Sequence, residues 1–443
     1  MAKKIGFISL GCPKNQVDSE LMLKKLADAG YEIIDTPIGA DAVIINTCGF
    51  IEAAKQESID NIFEMAGYKE DGDVGKIIVV GCMAERYREE ILKEMPEVDA
   101  VAGIGANGDI VSFVDSVFEG KENMLFPEKE NLPLCGERLL TTPSYRAYLK
   151  IADGCSNCCT YCAIPKIRGP QRSRPIESIV EEAKRLASDG VKELTVIAQD
   201  TTRYGDDIYG EPKLDELLKQ LDVIDGIEWI RLLYCYPDRL TDSVLETMRD
   251  SKHVLHYIDL PLQHANGRIL KAMNRRGDSA SLLALIGKIR DYMPDCVIRT
   301  TFMTGFPGED DEAFNELSEF VNAARFDRLG CFAFSPEDGT AAADMTERPE
   351  KEVAEHRGEV IMDQQYKIFC EKQEELIGER VRCIVEDYDG YTDVYSGRTW
   401  RDAPEIDSGI FIISQRELDI GDFVDVEITD TKDYDLIGEV SDR

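Results

Sequence analysis

Ala147-Tyr148-Leu149-Lys150-Ile151 is a strand-length run, and after three residues it is followed by Cys155-Ser156-Asn157-Cys158-Cys159-Thr160-Tyr161-Cys162. Four thiols stand within these eight residues. The subset Cys155, Cys159 and Cys162 has the spacing C-x3-C-x2-C. Three thiolates on one short loop can wrap one face of a cubane iron–sulfur cluster and hold three of its four irons. The fourth iron is left open, as catalytic metal sites keep a position free for substrate. The alternative is a zinc loop pairing Cys155-x2-Cys158 with Cys159-x2-Cys162, but zinc sites usually separate such pairs by a dozen or more residues, and these abut. A metal loop at the end of a strand is what the C-terminal mouth of a β/α barrel offers.

Downstream, five more strand patterns alternate with helical ones. The strands read as Glu193–Ile197, Trp229–Leu233, Tyr257–Leu260, Val297–Thr301 and Arg328–Phe334. Helical spacing is clear over Ile176–Ala187, Leu214–Leu221, Ser281–Tyr292 and Asp311–Ala324. Six β/α units are fewer than the eight that close a full barrel, so an open, partial (β/α)6 barrel is predicted. With the charged helix Glu350–Leu376 it occupies residues 145–376. Residues 377–443 change character: Arg380–Glu386, Gly409–Ser414, Phe423–Ile428 and Ile437–Val440 predict a small antiparallel β-barrel.

Upstream, residues 1–120 alternate strands Ile5–Leu10, Ala42–Asn46 and Ile77–Val80 with helices near Asp18–Ala29, Glu52–Met65 and Tyr87–Met95. This predicts a doubly wound parallel sheet, making the whole chain α/β with a β-rich tail. Residues 121–144, with Pro127, Pro133 and Pro143, read as a linker. Cys12, Cys48 and Cys82 each follow one of the three strands, on the sheet edge where such folds bind ligands. They can converge on a second cluster, or be three buried cysteines packing as small hydrophobes. Gly103-Ile104-Gly105-Ala106-Asn107-Gly108 matches a dinucleotide fingerprint in form, but a linker rather than a second strand is expected after its helix, so a tight turn is the better reading.

Charge and composition exclude several classes. The 443 residues are 43% hydrophobic and 31% charged, and 51 Lys and Arg against 86 Asp and Glu give a formal net charge of −35. Such a surface repels phosphate backbones and attracts basic partners. The longest apolar run, Ile77–Ala84, is strand-sized, so no membrane association is expected. Met1-Ala2-Lys3-Lys4 runs into a strand pattern without a cleavage site, so a cytoplasmic location is expected. In that reducing compartment 13 cysteines point to metal binding or catalysis rather than disulfides. Cys135, Cys235, Cys296, Cys331, Cys370 and Cys383 are isolated and suit core packing, and His264 suits a structural role. Gln199 and Asp200, and Gly305-Phe306-Pro307-Gly308, end barrel strands at the mouth, where a small polar cofactor can bind.

C-x3-C-x2-C with Tyr161 before the last cysteine resembles the radical S-adenosylmethionine (SAM) superfamily. Together with Cys12, Cys48 and Cys82, the partial barrel and the β-rich tail, the chain resembles the methylthiotransferases, which carry an N-terminal cluster domain, a radical SAM core and a TRAM domain. Leu10-Gly11-Cys12-Pro13-Lys14-Asn15 with Asp18-Ser19-Glu20, and Asn46-Thr47-Cys48-Gly49-Phe50-Ile51, are similar to the branch that modifies an aspartate of small-subunit ribosomal protein S-twelve. The tRNA-modifying branch typically has Gln and Met where Pro13 and Lys14 stand.

The resemblance implies two 4Fe–4S clusters, one on Cys155, Cys159 and Cys162 and one on Cys12, Cys48 and Cys82, with SAM contacted by Tyr161, Gln199 and Asp200. It implies a basic ribosomal protein as substrate, an electron donor such as flavodoxin or ferredoxin, and a sulfur donor. Residues 373–443 hold 20 acids and 7 bases, and 7 − 20 leaves −13, which suits a basic protein and argues against direct RNA binding. Cys158 departs from the superfamily pattern, whose spacing favours Cys159 as ligand.

Overall fold

A computed structural model describes residues 2–441. Its N-terminal sheet contains β1 (Lys4–Ser9), β2 (Glu32–Ile34), β3 (Ala42–Thr47), β4 (Ile77–Gly81), β5 (Ala100–Ala102) and β6 (Met124–Leu125). All pairings are parallel, in the order β2-β1-β3-β4-β5-β6. β3 and β4 are covered on both faces, which is why they read as unbroken apolar runs. On one face helix Pro13–Asp28 packs Met22 and Leu26 beside Phe113 and Val117 of helix Ile110–Phe118; on the other, helix Glu52–Glu70 buries Ile62 and Met65. Chain order reverses between β1 and β3, and the crevice at that reversal is where doubly wound sheets take ligands.

β6 corrects the boundary expected after residue 120. Met124 and Leu125 pair in parallel with Val101 and Ala102, so the segment after the glycine-rich turn does supply a strand. Two residues are too few for periodicity to reveal. The fingerprint-like stretch is a 3-10 turn, Ile104–Asp109, against which the backbone of Pro127 and Glu128 closes. A Cβ on Gly105 would stand 2.4 Å from the Glu128 carbonyl, so the glycine admits protein backbone rather than a phosphate.

The second sheet contains β7 (Arg146–Lys150), β8 (Glu193–Ile197), β9 (Trp229–Leu232), β10 (Val254–Asp259), β11 (Val297–Thr304) and β12 (Arg328–Ala333). They pair in sequence order, all parallel and without closing, giving the expected open barrel. Its inward side chains, Tyr148, Ile197, Leu233, Tyr257 and Val297, meet Val17 and Leu21 of the first helix and Ala403 of the tail. Helix Lys351–Glu374 buries Ile361 and Ile368 in the main barrel core.

The tail is a closed five-stranded barrel of β13 (Arg380–Asp389), β14 (Val394–Thr399), β15 (Ile410–Ile413), β16 (Phe423–Lys432) and β17 (Asp435–Val440). Two features differ from expectation. β14 is not among the strands predicted from sequence; its Gly397 lets β13 approach, since a Cβ there would meet the Ile384 carbonyl at 2.1 Å. β15 and β17 pair in parallel, so the barrel is not wholly antiparallel. The tail covers the N-terminal end of the large barrel through an ionic layer. Glu193 at the start of β8 takes Arg398 at 2.6 Å and Arg231 at 3.0 Å, Arg146 pairs with Glu405 at 2.6 Å, and Tyr257 donates to Asp407 at 2.6 Å.

Candidate cluster and cofactor site

Cys12, Cys48 and Cys82 lie after β1, β3 and β4, flanking the point of chain reversal. Their loops interlock through buried amides. Asn15 Nδ2 donates to the carbonyls of Leu10 (2.9 Å) and Thr47 (3.1 Å), and Asn46 Nδ2 donates to Asn15 O (3.0 Å) and Ser19 Oγ (2.8 Å). Gly11 has φ 89, and a Cβ on it would fall 2.7 Å from Cys48 Cβ, so glycine brings the first two loops into contact. Burial raises the Cys12 thiol, but Lys14, Arg168 and the local backbone N–H groups outweigh burial and hold it below the ordinary cysteine range. Burial pushes Cys82 up to about 12 and also raises Cys48.

The second set sits on the loop after β7. Backbone bonds Cys155 N to Gly169 O (3.1 Å) and Thr160 N to Met273 O (3.1 Å) pin its two ends. Cys158 is exposed, with φ 54, and its carbonyl accepts from Asn274 Nδ2 at 2.9 Å. Cys159 instead faces Tyr236 Oη at 3.9 Å and Arg275 Nη1 at 4.0 Å. Burial raises Cys155 to about 11 and Cys162 to about 12.

The residues expected to contact SAM are all at this mouth. Tyr161 packs against Ile269, Met273 and Phe306, and its hydroxyl accepts from Arg275 at 3.4 Å. Asp200 accepts from Asn157 Nδ2 (2.7 Å) and Thr202 Oγ1 (2.6 Å), tying the end of β8 to the cysteine loop. The Gln199 side chain has both amide atoms buried without a partner, so it offers a donor and an acceptor to a polar ligand.

The N-terminal cysteine loops meet the segment that follows the second set. Cys82 packs directly on Ala163 and Ile167, the former adjacent to Cys162. Around this contact Arg168 Nη1 binds Asp153 at 2.8 Å, and its Nη2 binds both Asp18 and Asn15 Oδ1 at 2.9 Å. Lys150 completes the group by binding Asp153 at 3.1 Å and also Asp18. All four charged side chains are at most 1% exposed. Sequence reading missed this group, along with Arg275 and Tyr236: the charges come from separate domains, and only Asp18, in the quoted Asp18-Ser19-Glu20, carried any signal. His264 is structural, as expected; its Nδ1 accepts from Asn266 N at 2.9 Å.

Both donor sets fit iron–sulfur clusters in kind: three thiols, no competing carboxylate among them, and cationic or polar neighbours.

Residues 149–321 match the Radical SAM superfamily, residues 377–440 the TRAM domain, and residues 4–103 Uncharacterized protein family UPF0004. Fold, cysteine sets and these matches define a three-domain protein of the radical SAM class. The chain is 49% identical to ribosomal protein uS12 methylthiotransferase RimO of Desulforamulus reducens, with 99% of each covered. It is 46% identical to the protein of that name from Lachnoclostridium phytofermentans (98% of this chain, 99% of the relative) and 45% to that from Clostridioides difficile (99% and 98%). It belongs to the RimO family. Among solved structures it resembles the radical SAM methyltransferase TsrM from Kitasatospora setae, with TM-score 0.61, 11% identity and 77% of each chain covered. The radical enzyme OxsB gives TM-score 0.51 at 12% identity, covering 83% of this chain and 58% of OxsB. These two likenesses concern fold alone.

Proposed function

We propose that this chain inserts a methylthio group at the β-carbon of an aspartate in ribosomal protein uS12. The observation that carries this reading is the packing of Cys82 on Ala163 and Ile167, which brings one N-terminal cysteine loop against the segment that follows Cys162. Cys155, Cys159 and Cys162 hold one 4Fe–4S cluster, and Cys12, Cys48 and Cys82 hold the other. When bound, the first supplies the electron that cleaves SAM and the second carries the sulfur to be transferred. The aspartate β-hydrogen is too weakly acidic for a side-chain base, so a cofactor must supply the radical that removes it.

The protein's own part is positioning and exclusion of water. The unpartnered Gln199 amide, Tyr161 and Asp200 bind SAM at the mouth of β8, with Arg275 and Tyr236 fixing the Cys159 side of the loop. Tyr148, Ile197, Leu233 and Tyr257 form a buried apolar layer inside the barrel. The Asp18–Lys150–Asp153–Arg168 group holds the two halves in register. Among the described residues no helix is long and apolar enough to cross a membrane, and the enzyme meets its basic substrate in the cytoplasm. An electron donor such as flavodoxin or ferredoxin and a separate sulfur donor serve the cycle.

The test is anaerobic reconstitution with SAM, reductant and sulfide, offering uS12 and unmodified tRNA in parallel and reading both by mass spectrometry. A methylthio gain on an aspartate of uS12 is expected. A gain on tRNA alone would overturn the substrate assignment.

A further inference from the structure

We propose that β12 is the docking edge for uS12: an extended segment of the basic substrate adds to the open barrel as a further strand, an inference that rests on the function proposed above. β7 and β12 are the two ends of the barrel sheet, and the chain treats them differently. Every residue of β7 is buried. β12, Arg328-Leu329-Gly330-Cys331-Phe332-Ala333, has no buried residue, and Phe332 is 64% exposed. Among the described residues it pairs only with β11. An open apolar strand edge is a template for another strand, and proteins that leave one idle shield it with charge, proline or a cover. The only charge on this one is Arg328, which Asp402 already takes at 2.5 Å.

Beside this edge lies a cavity of about 410 Å³, walled by Gly330 and Phe332, by Met362, Tyr366 and Phe369 of helix Lys351–Glu374, and by Tyr434 of the tail. Two details fit a polypeptide guest. Gln365 lines the same cavity and is 3% exposed, and its Oε1 is buried without a partner, so it offers an acceptor to an incoming N–H. Gly330 does not hold a positive φ, and the one side chain a Cβ there would crowd is the exposed Phe332 ring, at 3.3 Å. Neither conformation nor the chain's own packing demands a glycine at this position, whereas a second backbone lying across it does. Charge selects the guest. Glu355 and Glu359, 52% and 76% exposed, stand seven and three residues before Met362 and so continue its stripe along the helix. That end of the helix is at the barrel mouth, where Ala354 O accepts from Thr304 Oγ1 at 2.8 Å. A segment bearing lysine and arginine suits such a wall, in a chain of net charge −35. The strand also leads to the reacting site: Phe334, next after β12, stacks edgewise on Phe306 with ring centroids 5.2 Å apart, in the cluster that holds Tyr161.

The experiment is amide hydrogen exchange, read by mass spectrometry, on the anaerobically reconstituted enzyme with and without uS12. Amides of residues 328–333 should exchange on the order of tenfold more slowly when uS12 is bound, and those of β7 at the same rate in both. Gly330→Val, a better strand former, should keep β12 in place yet weaken uS12 binding on the order of tenfold, because its side chain takes the space of the guest. Iron content and SAM cleavage without uS12 report whether that variant is assembled; if it is not, exchange in the wild type decides alone. Bound uS12 that leaves residues 328–333 exchanging as in the free enzyme would overturn the proposal and leave the uS12 activity standing, as would undiminished binding by an assembled Gly330→Val enzyme. Protection of these amides in the free enzyme that rises with its concentration would give the edge to a second copy of this chain instead. Wild-type enzyme that neither binds nor modifies uS12 would remove the function on which the proposal rests.

Discussion

At the residue scale the proposed function divides the chemistry between two triads of thiols, and single substitutions should separate them. Replacing Cys155, Cys159 or Cys162 by Ala should abolish deoxyadenosine formation. Replacing Cys12, Cys48 or Cys82 should spare SAM cleavage and stop methylthio transfer. Chromatography of the nucleoside and mass spectrometry of uS12 read the two outcomes, and methylthiolated product from Cys48→Ala would refute the division. Cys158→Ser should leave iron content unchanged, since that side chain is exposed while Cys159 faces Arg275 and Tyr236. Gly11→Ala is the sharper test of local geometry. The new methyl would fall 2.7 Å from Cys48 Cβ at φ 89, so iron bound by the N-terminal domain should be lost while SAM cleavage persists.

At the scale of elements, four buried charges tie the first helix to the end of β7 and the segment that follows it. Removing one member strands its partners: losing a buried ionic partner typically costs about 3–5 kcal/mol. Arg168→Met should therefore leave Asp18 and Asp153 undercompensated and loosen the seat of Cys82 on Ile167. The expected result is an enzyme that still cleaves SAM but with deoxyadenosine formed in excess over methylthio product. A ratio of deoxyadenosine to methylthio product unchanged from that of the wild type would show that the group has no part in alignment.

At the scale of the whole molecule, the acidic tail has two roles. Some of its carboxylates serve the fold: Glu386, Asp402 and Glu405 pair with arginines at the barrel's N-terminal end. Others, such as Asp387 and Glu417, are exposed, as docking of a basic substrate on the proposed function would require. Burial raises Glu193, but Arg398 and Arg231 outweigh it and hold the carboxyl below the ordinary glutamate range. A depressed carboxyl adds stability that is in force above the unfolded-state value, about 4.3, and is lost as pH falls below it. Both tryptophans of the chain, Trp229 and Trp400, lie at this junction, so their fluorescence reports docking of the tail. Undocking should begin as the pH drops below about 4.3, and Glu193→Gln should lower the thermal midpoint at pH 7 and flatten its acid dependence. Asp407 in the same layer is raised by burial and acts in the opposite sense, so the comparison with Glu193→Gln isolates the Glu193 contribution.

Much of this protein could be read along the chain. Strands β3, β4 and β8 announce themselves because each is long enough to show its pattern and is buried on both faces. Cys155, Cys159 and Cys162 were legible because one loop carries them all, and spacing along a loop is spacing in space. Cys12, Cys48 and Cys82 were legible only as strand-end positions, and along the chain it was the family resemblance, not their spacing, that set them apart from packing cysteines; the sheet order places β1, β3 and β4 side by side. Strands β6 and β14 escaped notice because each depends on a neighbour: a two-residue edge in one case, a glycine under a crossing strand in the other. The Asp18–Lys150–Asp153–Arg168 group could not be seen as a group in sequence, where only Asp18 stood in a quoted motif. A charged residue looks the same whether solvated or buried, and only packing between domains decides which it is and whether its partner is supplied from within.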